Sequence, residues 1–458
     1  MSSIQLKTNI LILTILGTVF TILAIIFGTS MFSPDSWSYY ELSKTIFTNN
    51  FYEFNTYRSY FSDLKSAAFP FGYPIVLATI NLISENPINA VFINILFTIL
   101  AMNAIQKISL KLEISYKVSC LISLSLLLYT PFLSEVFAGR SIPLAIMLYL
   151  YGILLLLNKK VFIAGIFLGL AVLVRFDYLV FGLLTILYYA LFFKKSSYIL
   201  IGAFFIAILP WSIYSYIYFD SFWISDNSWV SKSAVHAFVL DYPAMSSETI
   251  FSDPLQWILK VVKNYIFIAK NLILNCRYYI FAFFVFVLFT MNIKRISSIK
   301  NYIFIIFLLA SLAPYASTGY FDGRYFSLFY LVFTMFVLYE IKDIYKLNLK
   351  IIYFVFIISF ILATRWFYIQ VTNSLKNEEA NKIELQKISN LHKQQQLDNK
   401  TYIFEKTKSN ISPFKYGALT GGKTACFPSN FDKLDNNMKN EYFNHMKPYK
   451  IIEDINND

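Results

Sequence analysis

Eleven uninterrupted apolar runs, at about 9–29, 88–106, 118–133, 141–157, 161–174, 178–193, 198–219, 278–293, 301–317, 325–341 and 351–369, constrain this chain more than anything else in it. A helix needs about 20 mostly apolar residues to cross a hydrocarbon layer, so the shorter runs must recruit flanking aromatics. Of the 458 residues, 57% are hydrophobic and only 14% charged, and the mean hydropathy is +0.55. A soluble globular domain cannot carry that composition. The expectation is an all-α polytopic membrane protein of about eleven transmembrane helices. It would carry outer-face interfacial helices and a small extracytoplasmic C-terminal α/β tail. The first run has only Lys7 before it and no small-residue cleavage site after it, so it reads as a retained span.

Charge fixes the expected orientation. With the N-terminus inside and Phe69–Ile83 not spanning, the inner loops hold 14 Lys and Arg in 40 residues, against 11 in 133 residues outside. Counting Phe69–Ile83 as a span would invert every later loop against the positive-inside rule. That stretch is short and broken by Pro70, Gly72 and Pro74, which suits a helix at the outer interface. Trp257–Leu274 also reads as an amphipathic surface helix, with Lys260, Lys263, Asn264 and Asn271 on one side. The net charge of +12 is concentrated in short inner loops, which marks membrane orientation and argues against a nucleic-acid partner. Two domains follow. Residues 1–369 form a membrane domain with large outer loops at 30–87 and 220–277, and 370–458 form an extracytoplasmic tail. In the tail, Asn373–Gln396 reads as helix, Thr401–Glu405 as strand and Gly417–Pro428 as turn-rich. Three cysteines make no disulfide framework, although Cys276 and Cys426 both fall outside and leave a pairing open.

The span interiors contain almost no ionisable residues. They gather at the outer rim instead: Asp35 and Arg58, Glu135 and Arg140, Arg175 and Asp177, Asp322 and Arg324. A coupled ion or proton transporter needs charge or broken helices near the midplane, so that class is disfavoured. Arginine offers phosphate a two-pronged donor, and a carboxylate can take a proton from an attacking hydroxyl. The ordinary alternative is that these are span-end charges that anchor and snorkel, with Asp35 serving only the first turn of a helix capped by Ser33.

Four stretches carry a resemblance. They are Pro34-Asp35-Ser36-Trp37-Ser38-Tyr39-Tyr40 after the first run, Phe69-Pro70-Phe71-Gly72-Tyr73-Pro74, Ser134-Glu135 after Thr130-Pro131, and the glycine-containing run Ala164–Val174 ending in Arg175; Gly323-Arg324-Tyr325 is a weaker fifth. Together they resemble the GT-C superfamily of integral-membrane glycosyltransferases. The similarity is greatest to the branch related to protein O-mannosyltransferases and lipopolysaccharide sugar transferases. The resemblance covers about Asn9 to Ile341. It departs at Phe71, which stands between the first proline and the glycine.

The resemblance implies a polyprenyl-phosphate-linked sugar donor and a glycolipid, polysaccharide or protein acceptor. The chemistry would take place on the extracytoplasmic face of the plasma (inner) membrane. Asp35 becomes the catalytic base and Glu135 a supporting acid. Arg58, Arg140, Arg175 and Arg324 become ligands for the phosphate, with Tyr73 and Tyr325 beside the substrate. Some relatives use a divalent metal through an acid and a histidine. Here His236, His392 and His445 have no partner at metal-ligand spacing, so the cofactor stays open. Two other classes compete: a lipid-linked polysaccharide polymerase or ligase, and a lipid or polysaccharide flippase. The first would place its residues in large outer loops, and the second would need a hydrophilic cavity.

Overall fold

The structure is a computed structural model that describes residues 3–57, 65–193, 196–236, 249–276, 279–295, 298–341, 349–376, 378–404, 411–427, 431–445, 447 and 449–452. The chain opens with α1 (Ser3–Phe27), α2 (Pro34–Thr45), the two-residue strand β1 (Thr56–Tyr57) and α3 (Gly72–Asn81). Next come α4 (Asn89–Lys111), α5 (Tyr116–Ser125), α6 (Thr130–Phe137), α7 (Ile142–Leu157), α8 (Val161–Val174), α9 (Tyr178–Phe192) and α10 (Ser197–Phe219). Then follow α11 (Asp226–Lys232), α12 (Pro254–Cys276), α13 (Ile280–Asn292), α14 (Ile299–Ala310), α15 (Ala313–Thr318), α16 (Ser327–Glu340) and α17 (Leu349–Lys376). The last part alternates helix and strand: α18 (Glu378–Asp398), β2 (Thr401–Phe404), α19 (Pro413–Thr420), β3 (Thr424–Cys426), α20 (Asn436–His445) and β4 (Tyr449–Ile452).

Helix occupies each of the eleven apolar runs, but length divides them. Asn89–Lys111, Ser197–Phe219, Ile299–Thr318 and Lys350–Lys376 are long and apolar enough to cross a membrane. Among the described residues, two bent pairs bring the number to six if each is one span: Tyr116–Leu128 with Thr130–Phe137, bent by 65°, and Pro254–Asn275 with Ile280–Asn292, bent by 112°. The helices α7, α8 and α9 run only 16, 14 and 15 residues, or about 21–24 Å at 1.5 Å per residue. The short α3, 10 residues from Gly72, covers only the later part of Phe69–Ile83.

The chain forms two compact units. The first comprises Met1–Gly28, Val91–Pro210 and Lys263–Asn373. Its outer surface is apolar, with Ile25 65% and Phe360 57% exposed, as lipid-facing helices require and a water-facing surface does not tolerate. Inside it, α7 and α8 pack as a hairpin, and α8 lies against α10 through Gly165 and Gly169. A Cβ on Gly165 would stand 2.7 Å from the Leu200 carbonyl oxygen, and one on Gly169 would stand 2.7 Å from that of Phe204. Ala203 and Ala207 face these glycines, so this is a small-residue contact in which backbones touch. The expected run 118–133 breaks at Tyr129, and Pro131 opens α6.

The second unit comprises Thr29–Ala90, Trp211–Val262 and Ser374–Asp458. Its sheet is parallel throughout, in the order β1-β3-β2-β4. Parallel sheets need cover on both faces, and alternation along β2 supplies it. Tyr402 and Phe404 pack with Ile388, Leu391 and Tyr416, whereas Ile403 packs on the other side with Ala425, Leu434 and Tyr442. The stretch expected to be turn-rich, Gly417–Pro428, instead holds the end of α19 and all of β3, because the helix stops at Gly421 and the strand is only three residues long. Cys426 ends β3, and the side chain of Cys276, with which the sequence leaves a pairing open, lies outside what the structure describes. At the start of α12, Trp257 Nε1 donates to Ser231 O at 2.8 Å and Lys260 Nζ to Val230 O and Ser233 O at 3.0 and 2.6 Å. Leu255, Ile258 and Leu259 face outward.

Candidate functional site

Three connections of the first unit bring their charges together. The bend at Tyr129 swings α6 round, and Glu135 on it is fully buried. The turn after α6 returns Arg140 onto Glu135, with Nη2 2.6 Å from Oε1. That turn is held from below by Asn94 of α4, whose Nδ2 donates to the Arg140 carbonyl at 2.8 Å. Arg324 Nη1 approaches the same Glu135 oxygen at 3.8 Å, and its Nε lies 3.4 Å from Asp322. The turn bearing Arg324 starts at Asp322, whose carboxylate accepts the Arg324 N–H at 3.0 Å. Gly323 lets this turn approach α6 closely, since a Cβ there would meet Pro131 Cγ at 3.3 Å and Asn275 Oδ1 at 3.0 Å. The Tyr129 hydroxyl donates to the Gly323 carbonyl.

The third connection ends α8. Arg175 grips Asp177 with two prongs, Nε at 3.0 Å and Nη2 at 3.2 Å, and its Nη1 reaches Ser141 Oγ at 3.4 Å. The Tyr315 hydroxyl donates to the same Asp177 at 2.7 Å. Tyr325 joins the two halves. Its ring centre lies 4.9 Å from the Arg324 guanidinium and 5.5 Å from that of Arg175, and it stacks on Tyr315 at 5.2 Å and 28°. Tyr320 stands 6.4 Å away and nearly parallel. Such rings stabilise a neighbouring cation by about 0.5–2 kcal/mol.

Glu135, Arg140, Arg175, Arg324 and Tyr325 thus gather in one unit. The charge is balanced, three guanidiniums against Glu135, Asp177 and Asp322. Glu135, with 1% of its side chain exposed, lies against both Arg140 and Arg324. Arginines held this way present planar donors to an anion, beside tyrosine faces on which a sugar ring can lie.

An apolar cavity of about 1260 Å³ lies in the same unit. It extends from the level of Tyr149 and Phe181 to that of Lys159, Asn301 and Glu340. From Phe181 to Phe192 along α9 is about 16 Å. Tyr149, Tyr178 and Phe181 form a ring cluster at the first end, with centroids 5.7–6.1 Å apart, and Tyr178 directly follows Asp177 in the chain. At the far end Asn301 Nδ2 donates to Glu340 at 2.8 Å.

Asp35 and Tyr73 belong to the second unit. Asp35 occupies the first turn of α2, where Ser33 and Ser36 close a capping box. Tyr73 is fully buried, edge-on to Tyr39 at 5.1 Å, and its hydroxyl donates to Ala90 O at 3.4 Å. Arg58 lies outside the described residues. Tyr315 and Tyr320 were not singled out in the sequence, although the spacing Tyr315, Tyr320, Tyr325 ahead of the sixteenth helix was a readable signal. Among the described residues no group of three or more His, Cys, Asp or Glu is placed to hold a metal ion. No protein-family model, curated protein or solved structure matches the chain.

Proposed function

We propose that the chain is an integral-membrane glycosyltransferase of GT-C type that takes a sugar from a polyprenyl-phosphate donor on the extracytoplasmic face. One observation carries this most: an arginine–tyrosine cluster and a long apolar cavity share one unit, with the ring cluster of Tyr149, Tyr178 and Phe181 between them. An isoprenoid chain fits the cavity, and the phosphate fits Arg140 and Arg324. The acceptor hydroxyl gives its proton to a carboxylate as its oxygen bonds to the anomeric carbon, and the bond from that carbon to the phosphate oxygen breaks. Charge growing on the departing phosphate is met by guanidinium donors already in place. Asp35 takes the role of base on the strength of its sequence motif.

The proposed setting is the plasma (inner) membrane, crossed by eleven spans, with the N-terminus in and the tail out. Shorter helices such as α7 to α9 count as spans here, completed by the aromatic residues at their ends. The acceptor is a glycolipid, polysaccharide or protein.

The test is sugar transfer from a polyprenyl-phosphate sugar by purified protein in lipid. Asp35→Asn keeps size and capping but cannot take the proton, which costs about 100- to 10,000-fold. Wild-type turnover by this variant removes Asp35 from the chemistry. Turnover only with a lipid-diphosphate oligosaccharide makes the protein a polymerase or ligase instead.

A further inference from the structure

The helix that carries Asp35 is held by residues that follow it by more than 330 positions. Trp37 and Tyr40 of α2 share one core with Phe414 and Ala418 of α19, completed by Phe32, Leu419 and Cys426. Lys415, between Phe414 and Tyr416, is 7% exposed. Its Nζ sits 2.5 Å from Glu384 of α18 and 5.8 Å from the centre of the Trp37 ring. One side of α2 is therefore seated on α19, which α18 braces through Glu384.

A second tie leaves α2 from Glu41, which is fully buried. Its carboxylate accepts the backbone N–H of Asn55. The carbonyl of Asn55 in turn accepts the N–H of Thr424 at 2.9 Å, where β1 joins β3 with Thr56 opposite Thr424. A third tie is the hydrogen bond between the Ser30 and Ser374 hydroxyls, at 2.9 Å. An autonomous tail needs none of these. Burying a lysine and a glutamate costs stability unless each has a partner. Lys415 is paired with Glu384 while its Nζ lies over the Trp37 ring of α2, and Glu41 is paired with the Asn55 N–H, whose own carbonyl is bound to Thr424.

We infer that the segment beyond residue 373 is a clamp on α2 that sets the position of Asp35, with Lys415 and Glu41 as positioning residues. The inference rests on Asp35 being the base, and it adds what orients that base. A general base works only when held close to its productive geometry, and a displacement of about 1 Å can cost about 100-fold. Lys415→Met keeps the stem over Trp37 and removes the charge that holds Glu384. Glu41→Gln removes the buried charge beside Asn55.

The experiment uses the full chain without native cysteines, with Asp35→Cys carrying a nitroxide label. Its mobility is compared with that of a label at Phe360 of the other unit. The expected result is greater mobility at position 35 for both Lys415→Met and Glu41→Gln, with Lys415→Arg restoring the parent spectrum and position 360 unchanged. In chains that retain Asp35, both variants lower kcat by about 10- to 100-fold with little change in KM. An unchanged spectrum at position 35 in both variants overturns the clamp. If Asp35→Asn remains active, the reading of Asp35 as base fails, while the label spectra still decide whether the clamp exists. If Lys415→Met does not fold, Glu41→Gln and Lys415→Arg decide it.

Discussion

Asn94, fully buried on α4, donates its side-chain amide to the carbonyl of Arg140 at 2.8 Å. That bond fixes the turn from which Arg140 reaches Glu135. Asn94→Leu has nearly the same size and removes the donor, leaving a buried carbonyl to find another partner. The expected cost is about 1–3 kcal/mol, read as a lower unfolding temperature of the detergent-solubilised protein. Transfer should fall with it, because the guanidinium loses its support.

Arg324 and Arg175 should respond differently to lysine. Arg324 shares Glu135 with Arg140 and lies over Tyr325, so a point charge cannot reproduce its planar donors. Arg324→Lys is expected to lower turnover of a polyprenyl-phosphate sugar at least ~10-fold, equivalent to ~1.4 kcal/mol of barrier. Arg175 already spends two donors on Asp177. Arg175→Lys should cost less, acting through the orientation of Tyr315 and Tyr325. Wild-type rates in both, at matched thermal stability, would reduce these arginines to anchors.

Orientation is testable without any substrate. In a cysteine-free chain, single cysteines at Lys111 and Lys294 should resist an impermeant maleimide added outside whole cells. A cysteine at Phe251, 86% exposed, should label. Labelling at 111 with none at 251 would reverse the charge argument and make Phe69–Ile83 a span.

Acid should loosen the C-terminal sheet at one identifiable point. Hydrogen bonds from Lys450 and Tyr402 hold the Asp398 carboxyl below its ordinary value of 3.8. A carboxylate favoured in the folded state contributes stability that is present above that value and lost as pH falls below it. Amide exchange in β4 should therefore quicken on acidification below about pH 4. In Asp398→Asn the exchange should be faster at neutral pH and should lack this acid step.

The apolar helices were legible because each run is apolar over its whole length, a signal that needs no partner, although only four to six of the described ones are long enough to be spans. Arg175, Asp177 and Arg324 were legible for a related reason: a charge beside a long apolar run stands out. Their convergence was not, because it depends on the 65° bend at Tyr129 and on Gly323 fitting against Pro131. Tyr315 and Tyr320 read as ordinary span-end aromatics until their rings are found beside Tyr325. The sheet was legible only at β2. Thr424–Cys426 is short and belongs to a parallel sheet, where burial on both faces erases alternation. Thr56–Tyr57 is two residues long and meets its partner across most of the chain.

That pairing of Thr56 with Thr424 has a consequence for how the protein is made. The two residues are separated by 368 positions (424 minus 56). At about 5–20 residues per second, the ribosome needs roughly 20–70 s to deliver the second after the first. Throughout that interval the loop bearing Asp35 has left synthesis without the strand, the α19 seat or the Glu384–Lys415 pair that later hold it. The helices of the first unit can be threaded into the bilayer in turn, but the second unit closes only when the final residues arrive. Premature termination between residues 370 and 400 yields a chain with every apolar run in place and no β2, β3 or β4 for β1 to join.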